Sequence, residues 1–313
     1  MKAFEIKVNG KILDYRKSEN LDLEKVKKFF EKTYVVKKIW QEKRHVLGIF
    51  EKNGKGAFLK LAPTEGISVV TKIDYNWNQE FNNIVSRDTN FWVPQIYDSG
   101  MYEKNLFYMV MEYFEGKLFA QRPKPDKIEQ ILKEDLPQII EFSELIQNLE
   151  IPPLSEKDKE NYSEWFFEKV KSWYEAIPQK AVEQYEIEKL LEIVKEGYRS
   201  LERKTRHGDF TPWHMIKLNG NKIGLNDGEH AMKNGVEYYD IGYLIQRIFS
   251  VLENPDFAKQ LYNMLIERNY NLEKLKIILT SRAIGGFTDE AIIEDNPSFE
   301  RANRFKNWVL SLS

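Results

Sequence analysis

The chain has 313 residues, room for one large domain or two smaller ones, and its hydrophobic fraction of 42% suffices for real cores. Charged residues make up 31%, but 47 Lys and Arg stand against 49 Asp and Glu, and the formal charge of −2 calls for no polyanionic partner such as nucleic acid. Without cysteine there is no disulfide, no thiolate zinc site and no thiol nucleophile, a composition that fits a reducing compartment.

Met1–Gly10 alternates polar and apolar residues and lacks the unbroken apolar core of a secretion signal. No stretch approaches the roughly 18–20 apolar residues that span a bilayer. The expectation is a soluble, cytoplasmic protein with no membrane partner. Residues 1–33 carry little further pattern. From Tyr34 to Glu115, short β-branched and aromatic runs alternate with turn signals. Val35–Trp40, His45–Glu51 and Ala57–Ala62 read as three successive strands, and Asn53-Gly54-Lys55-Gly56 as the hairpin turn between the last two, since Asn and Gly tolerate positive φ. A helix is expected around Tyr75–Ser86, followed by strands at Gln95–Tyr102 and Leu106–Tyr113.

After Gly116 the pattern turns helical. Asp126–Leu149 repeats apolar residues near the 3.6 period, from Ile128 to Leu145, with a kink or break expected at Pro137. Asn161–Ala176 and Ala181–Glu202 read as further amphipathic helices. A short β interlude covers Met215–Leu218 and Lys222–Asn226, with Asn219-Gly220 as its turn. Helices resume at Tyr239–Leu252, Phe257–Glu267, Leu272–Arg282 and Ser298–Leu310. The expected class is α+β: an antiparallel sheet with one helix over residues 1–115, then a mainly helical region over 116–313.

The segment that carries chemistry is His207-Gly208-Asp209-Phe210-Thr211-Pro212-Trp213-His214. It follows a long helix and precedes the hairpin ending in Leu225-Asn226-Asp227-Gly228-Glu229. Phosphoryl transfer needs one carboxylate near the acceptor hydroxyl and another holding Mg²⁺ on the nucleotide phosphates. A loop and a hairpin can bring Asp209 and Asp227 to the same cleft for those two tasks. The segment resembles the aminoglycoside phosphotransferase family, whose catalytic loop reads H-G-D-x-x-x-x-N and whose metal-binding Asp lies in an I-D-W/F-E-like run. Glu229-His230-Ala231 and Tyr238-Tyr239-Asp240-Ile241-Gly242 also resemble that family, and more weakly the related choline kinases. The strand and helix order before Gly116 is similar to a kinase N-lobe.

The resemblance implies a two-lobed, protein-kinase-like fold, with a nucleotide-binding N-lobe over 1–115 and a catalytic C-lobe over 116–313. It implies an enzyme that uses ATP and Mg²⁺ to phosphorylate a hydroxyl of a small molecule. Asp209 is then the catalytic base or hydroxyl-orienting group, and Asp227 the Mg²⁺ ligand. Lys60 contacts the α- and β-phosphates and Glu80 on the following helix pairs with it. Backbone groups of Glu112, Tyr113 and Phe114 bind adenine, Gln41–Arg44 forms the nucleotide loop, and Asp240 braces the catalytic loop. The nucleotide loop has no G-x-G-x-x-G, which the resembled family often lacks, and no Walker A sequence occurs, which argues against a P-loop kinase.

Two positions depart from the family pattern. His214 stands where the family has a metal-binding Asn, and Gly228 stands where it has a bulky residue. Mg²⁺ prefers oxygen, whereas imidazole suits transition metals. His214 therefore either ligates Mn²⁺, reaches the metal through water, or only shapes the loop. The alternative to an enzyme is a nucleotide-binding pseudokinase acting as an interaction or regulatory module. On the acceptor side, Trp165, Phe166, Phe167, Trp173 and Tyr174, with Glu229, Asp289, Glu290, Glu294 and Asp295, offer cation–π and ionic contacts to an amine-bearing substrate. The same aromatics at helical spacing also suit a core, and the acids a solvated face.

Overall fold

In the computed structural model residues 4–8, 10–121, 130–159, 162–293 and 297–312 are described. They fall into two compact units, the first running through Lys117 and taking in Ile216–Ala231, the second comprising Leu118–Met215 and the chain from Met232 onward. Asp227, expected in the second region, lies in a segment that packs with the first.

The first unit opens with a hairpin of β1 (Glu5–Val8) and β2 (Lys11–Asp14), paired Glu5 to Asp14. Helix α1 (Leu23–Phe30) follows, its N-terminus capped by Asp22, which accepts from the backbone of Glu24 and Lys25. Then come β3 (Val35–Glu42), β4 (His45–Lys52) and β5 (Lys55–Leu61), helix α2 (Glu65–Ile84), the short β6 (Phe91–Trp92), β7 (Ile96–Tyr102) and β8 (Leu106–Glu112). Five of these strands form one antiparallel sheet in the order β3-β4-β5-β8-β7. Alternation does the sorting. Val46, Phe50, Ala57, Leu59, Leu61 and Val110 point to one face, where Val26 and Phe30 of α1 complete the core. Phe58, Met109 and Met111 point to the other, with Tyr75 of α2. Lys60, one residue out of phase with Leu59 and Leu61, therefore lies on the α2 side.

Helix α2 begins at Glu65, well before the expected Tyr75, because Thr64 caps it by accepting from Ile67 N (3.3 Å). Its apolar stripe of Ile67, Val70, Ile73, Trp77 and Phe81 is buried throughout. After β9 (Lys117–Leu118) the second unit is helical, with α3 (Gln130–Glu134), α4 (Leu136–Gln147), α5 (Tyr162–Tyr174), α6 (Gln179–Gln184) and α7 (Glu188–Gly197). The break expected at Pro137 is the α3–α4 boundary, with the proline in the first turn of α4, where no N–H is needed. The helix starts expected at Asp126 and Asn161 lie outside the described residues. Ala181–Glu202 is two helices rather than one, separated at Glu186, whose φ is +49°.

Strand β10 (Arg203–Arg206) pairs antiparallel with β13 (Met232–Val236). Between them the chain forms β11 (Met215–Lys217) and β12 (Ile223–Leu225), and β12 runs parallel to β6. Helices α8 (Tyr239–Gln246), α9 (Pro255–Glu267), α10 (Leu272–Ile293) and α11 (Glu300–Ser311) follow, with a π turn at Arg247–Val251. Helix α10 continues past the expected end at Arg282, straight through Gly285 and Gly286. Among the described residues no helix is long and apolar enough to cross a membrane.

Candidate active site

Lys60 lies on β5 between β4 and β8 and is 6% exposed. Its Nζ is 2.6 Å from Asp74 Oδ2, 2.5 Å from Asp227 Oδ1 and 2.8 Å from Glu229 Oε1. Asp74 comes from the buried face of α2, at helical spacing from Val70 and Trp77. Its other oxygen accepts from Gly228 N (2.8 Å) and Asn78 Nδ2 (3.0 Å), tying α2 to the chain that leaves β12. Glu229 accepts from Arg44 Nη2 (2.6 Å) and places Oε1 3.1 Å from His45 Nε2. Arg44 also donates to the carbonyl of Tyr15 (3.3 Å).

This arrangement corrects two sequence expectations. The helix carboxylate on Lys60 is Asp74, not Glu80: six residues at roughly 100° each carry Glu80 about 120° around α2 from Asp74. Glu229, expected among acceptor-side acids, belongs instead to the lysine cluster. Burial pushes the pKa of Lys60 down, but Asp227, Asp74 and Glu229 outweigh it and raise it well above normal. Burial likewise raises Asp74, against the pull of Lys60. It would also raise Glu229, but there Lys60, with help from His45 and Arg44, wins and holds the carboxyl at about 2. His45, buried and hydrogen-bonded to Thr71, is pushed down to about 4 and is neutral. With every carboxylate ionised, Lys60 and Arg44 leave the cluster one negative charge in excess.

The three carboxylates differ in access. The side chains of Asp74 and Glu229 are 1% exposed, whereas that of Asp227 is 30% exposed. Asp227 also holds a left-handed φ of +70°, which an Asp tolerates better than most residues. It is thus the most exposed of the three carboxylates on Lys60. Gly228 makes room beside it: a Cβ there would sit 2.4 Å from Trp77 Cδ1, so the indole fills the space of the bulky residue expected at this position.

The expected adenine segment is partly committed. Glu112 N–H donates to Gln95 O (2.8 Å) and Tyr113 N–H to Gly56 O (3.4 Å). Glu112 Oε2 accepts from Arg87 Nη2 (2.6 Å), and the Tyr113 ring stacks on Phe58. Phe114 is buried against Gly224, where an added Cβ would lie 2.6 Å from its ring. Of the three N–H groups, that of Phe114 is the one no carbonyl takes among the described residues.

In the second unit, β10 feeds His207 into a loop clamped by Asp240 at the start of α8. Asp240 Oδ2 accepts from His207 N (2.7 Å) and Oδ1 from Gly208 N (2.8 Å). Gly208 has φ +85°, a conformation that favours glycine. Burial pushes the Asp240 carboxyl up to about 6, against the two N–H donors that favour its ionised form. Phe210 is fully buried, edge-on to Phe142, and anchors the loop beside Asp209. The loop then folds back: His214 N donates to Thr211 O (3.0 Å), and His214 Nδ1 lies 3.2 Å from the Asp209 carbonyl and 3.5 Å from Asp209 Oδ2. Both neighbours are acceptors, so Nδ1 is placed to donate to them. Asp209 also acts electrostatically on Tyr243 and on Arg247, a pair joined by a hydrogen bond.

Of the residues expected from the sequence, Lys60 and Asp227 meet in one cluster, joined by Arg44 of the expected nucleotide loop and by Asp74 and His45, for which no site role was expected, while Asp209, His214 and Asp240 share the His-Gly-Asp loop and its brace. A signal for Asp74 existed: an acid inside the apolar stripe of an amphipathic helix.

No family model and no curated protein sequence matches the chain. Solved structures do. The aminoglycoside phosphotransferase APH(4)-Ia superposes with a TM-score of 0.66 at 15% identity, covering 92% of this chain and 98% of that one. Spectinomycin phosphotransferase APH(9)-Ia, solved with ADP and spectinomycin, gives 0.56 at 12% identity over 93% and 95%. The choline kinase LicA from Streptococcus pneumoniae gives 0.55 at 16% identity over 93% and 99%. The chain therefore has the fold of the protein-kinase-like small-molecule kinases, an α+β fold with an antiparallel-sheet N-terminal region and a helical C-terminal region.

Proposed function

We propose that the protein is an ATP-dependent phosphotransferase that moves the γ-phosphate of ATP to a hydroxyl of a small molecule. The observation that carries this reading is the state of Lys60: a buried ammonium fixed by an acid from α2, with the half-exposed carboxylate of Asp227 beside it. Such a pair offers a point charge for nucleotide phosphates and an anionic oxygen for a hard divalent cation. Asp227 fits Mg²⁺ in donor type; His214, through Nε2, fits Mn²⁺ better. The cation, when bound, neutralises charge on the phosphates. Lys60 positions the α- and β-phosphates, and the Phe114 N–H serves adenine. Asp209 orients the acceptor hydroxyl and takes its proton as the new O–P bond forms and the bond to ADP breaks. Reliance on ATP, with no cysteine in the chain, favours a cytoplasmic setting.

A second reading, a nucleotide-binding regulatory pseudokinase, is motivated by His214, which rests on Asp209 where an amide is expected. Thermal shift with ATP, with and without Mg²⁺ or Mn²⁺, followed by ATP consumption over a library of small alcohols, separates the two. Turnover on any acceptor supports the enzyme, and metal-dependent binding with no turnover supports the pseudokinase. If His214 ligates the cation, His214→Asn shifts the activity ratio toward Mg²⁺. Identical Mg²⁺ and Mn²⁺ profiles in wild type and variant would remove His214 from the metal site.

A further inference from the structure

Helix α10 is buried on every face from Ile277 to Thr288, and within that run it carries a single charged residue, Arg282, 3% exposed. A guanidinium in such surroundings is costly unless paired. Among the described residues Arg282 forms no ion pair. Its partners are ring faces, Tyr243 at 4.2 Å, Trp173 at 5.0 Å and Tyr239 at 5.6 Å, and the Tyr239 hydroxyl, which accepts from Nη1 (3.1 Å). Among the described residues its Nε is buried without a hydrogen-bond partner. Arg206, 7% exposed, faces the same Tyr239 ring from 4.0 Å and Trp165 from 5.3 Å. Among the described residues its side-chain hydrogen bond is to Met232 Sδ (3.3 Å), its Nε too is buried without one, and it acts electrostatically on the Asp240 carboxyl. Two cations thus share one aromatic ring with donors left over.

Among the described residues, four of the acceptor-side groups expected to suit an ammonium are already taken. Trp165 and Trp173 carry Arg206 and Arg282, Asp289 holds Arg247 (2.9 Å), and Glu290 holds Arg301 (2.8 Å). Glu294 and Asp295 lie outside the described residues. The set adjoins the catalytic loop: Arg206 ends the strand leading to Asp209, and Asp209 acts electrostatically on Tyr243.

We propose that the acceptor bears an anionic oxygen group, carboxylate or phosphate, besides its hydroxyl, and that Arg282 with Arg206 receives that group. The planar fork of a guanidinium matches either anion, whereas a polyamine would meet like charge. The identity of this ligand as acceptor rests on the phosphotransferase reading; the anion site itself does not.

Calorimetric titration without nucleotide tests it, using D-gluconate, glycerol 3-phosphate, choline and kanamycin as probes. The expected result is that gluconate or glycerol 3-phosphate binds the wild type, the better of the two naming the anion, and that Arg282→Gln weakens it at least tenfold. Arg282→Lys, which keeps the charge but loses the fork, should weaken it as well and serves if the Gln variant does not fold. Binding of choline or kanamycin in preference to both anions, no anion binding at millimolar concentration, or unchanged anion affinity in both variants would overturn the proposal. An ATP thermal shift on the same samples keeps the two readings apart: its absence counts against phosphoryl transfer and leaves the anion result standing.

Discussion

Asp209 and Asp74 are both aspartates beside charged neighbours, but their surroundings assign them different work. Asp209 is half-buried on a loop held from below by Asp240 and Phe210, so its carboxylate is positioned without being consumed. Replacing it with Asn keeps the shape and removes the proton acceptor. Turnover should fall by about 10²–10⁴-fold while the ATP thermal shift persists; near wild-type turnover would mean another group takes the proton. Asp74 has both oxygens engaged, by Lys60, Gly228 and Asn78. Asp74→Asn should cost about 2–3 kcal/mol of stability and weaken nucleotide binding, because Lys60 loses a charge-assisted partner in a dry place. Glu80→Gln should stay within about 0.5 kcal/mol of wild type. Urea melts of the two variants decide which acid serves Lys60, and a larger loss in Glu80→Gln would reverse the assignment.

Elements with strict period-2 or period-3.6 patterns were legible: β3, β4, β5, β7 and β8 lie where alternation and turn residues put them, within a residue or two. Segments that mix signals were not. The start of α2, Ile67-Ser68-Val69-Val70-Thr71, is β-branched and reads against helix until Thr64 is recognised as its cap. The end of α10 contains Gly285-Gly286, normally a stop, but close packing against the Arg282 guanidinium leaves Gly285 little room for a side chain. Gly228 makes the same point across elements, since only the fold shows that Trp77 of α2 covers it. Gly228→Val should drive the indole from its place and cost at least about 1–3 kcal/mol. A denaturation midpoint matching wild type would show that Trp77 moves freely.

For the whole molecule, two buried groups make opposing contributions to acid stability. His45 has its folded pKa lowered from 6.5 to about 4, so its contribution is present above pH 6.5 and is lost as pH falls toward 4, about 3 kcal/mol in all. Asp240 has its folded pKa raised from 3.8 to about 6, so its contribution is present below pH 3.8 and is lost as pH rises through 6, again about 3 kcal/mol. Between pH 4 and 6 they largely cancel. Relative to wild type, His45→Gln should therefore gain stability on acidification across that window and Asp240→Asn should lose it, read as unfolding free energies from urea melts at stepped pH. Parallel curves for all three proteins would place both pKa values near their unfolded ones. Neither contribution was visible in the chain, because burial and partner distance set both. What the sequence by itself determined was local: strand faces, caps, and the His-Gly-Asp loop with its following Asp, since periodicity and turn chemistry act over a few residues. The tertiary structure alone decided which acid meets Lys60, which carboxylate stays exposed, and that Arg282 lies buried among aromatic rings with no ion pair among the described residues. Those outcomes depend on side chains from segments far apart in the chain entering one low-dielectric space, where a single pairing outweighs any local preference.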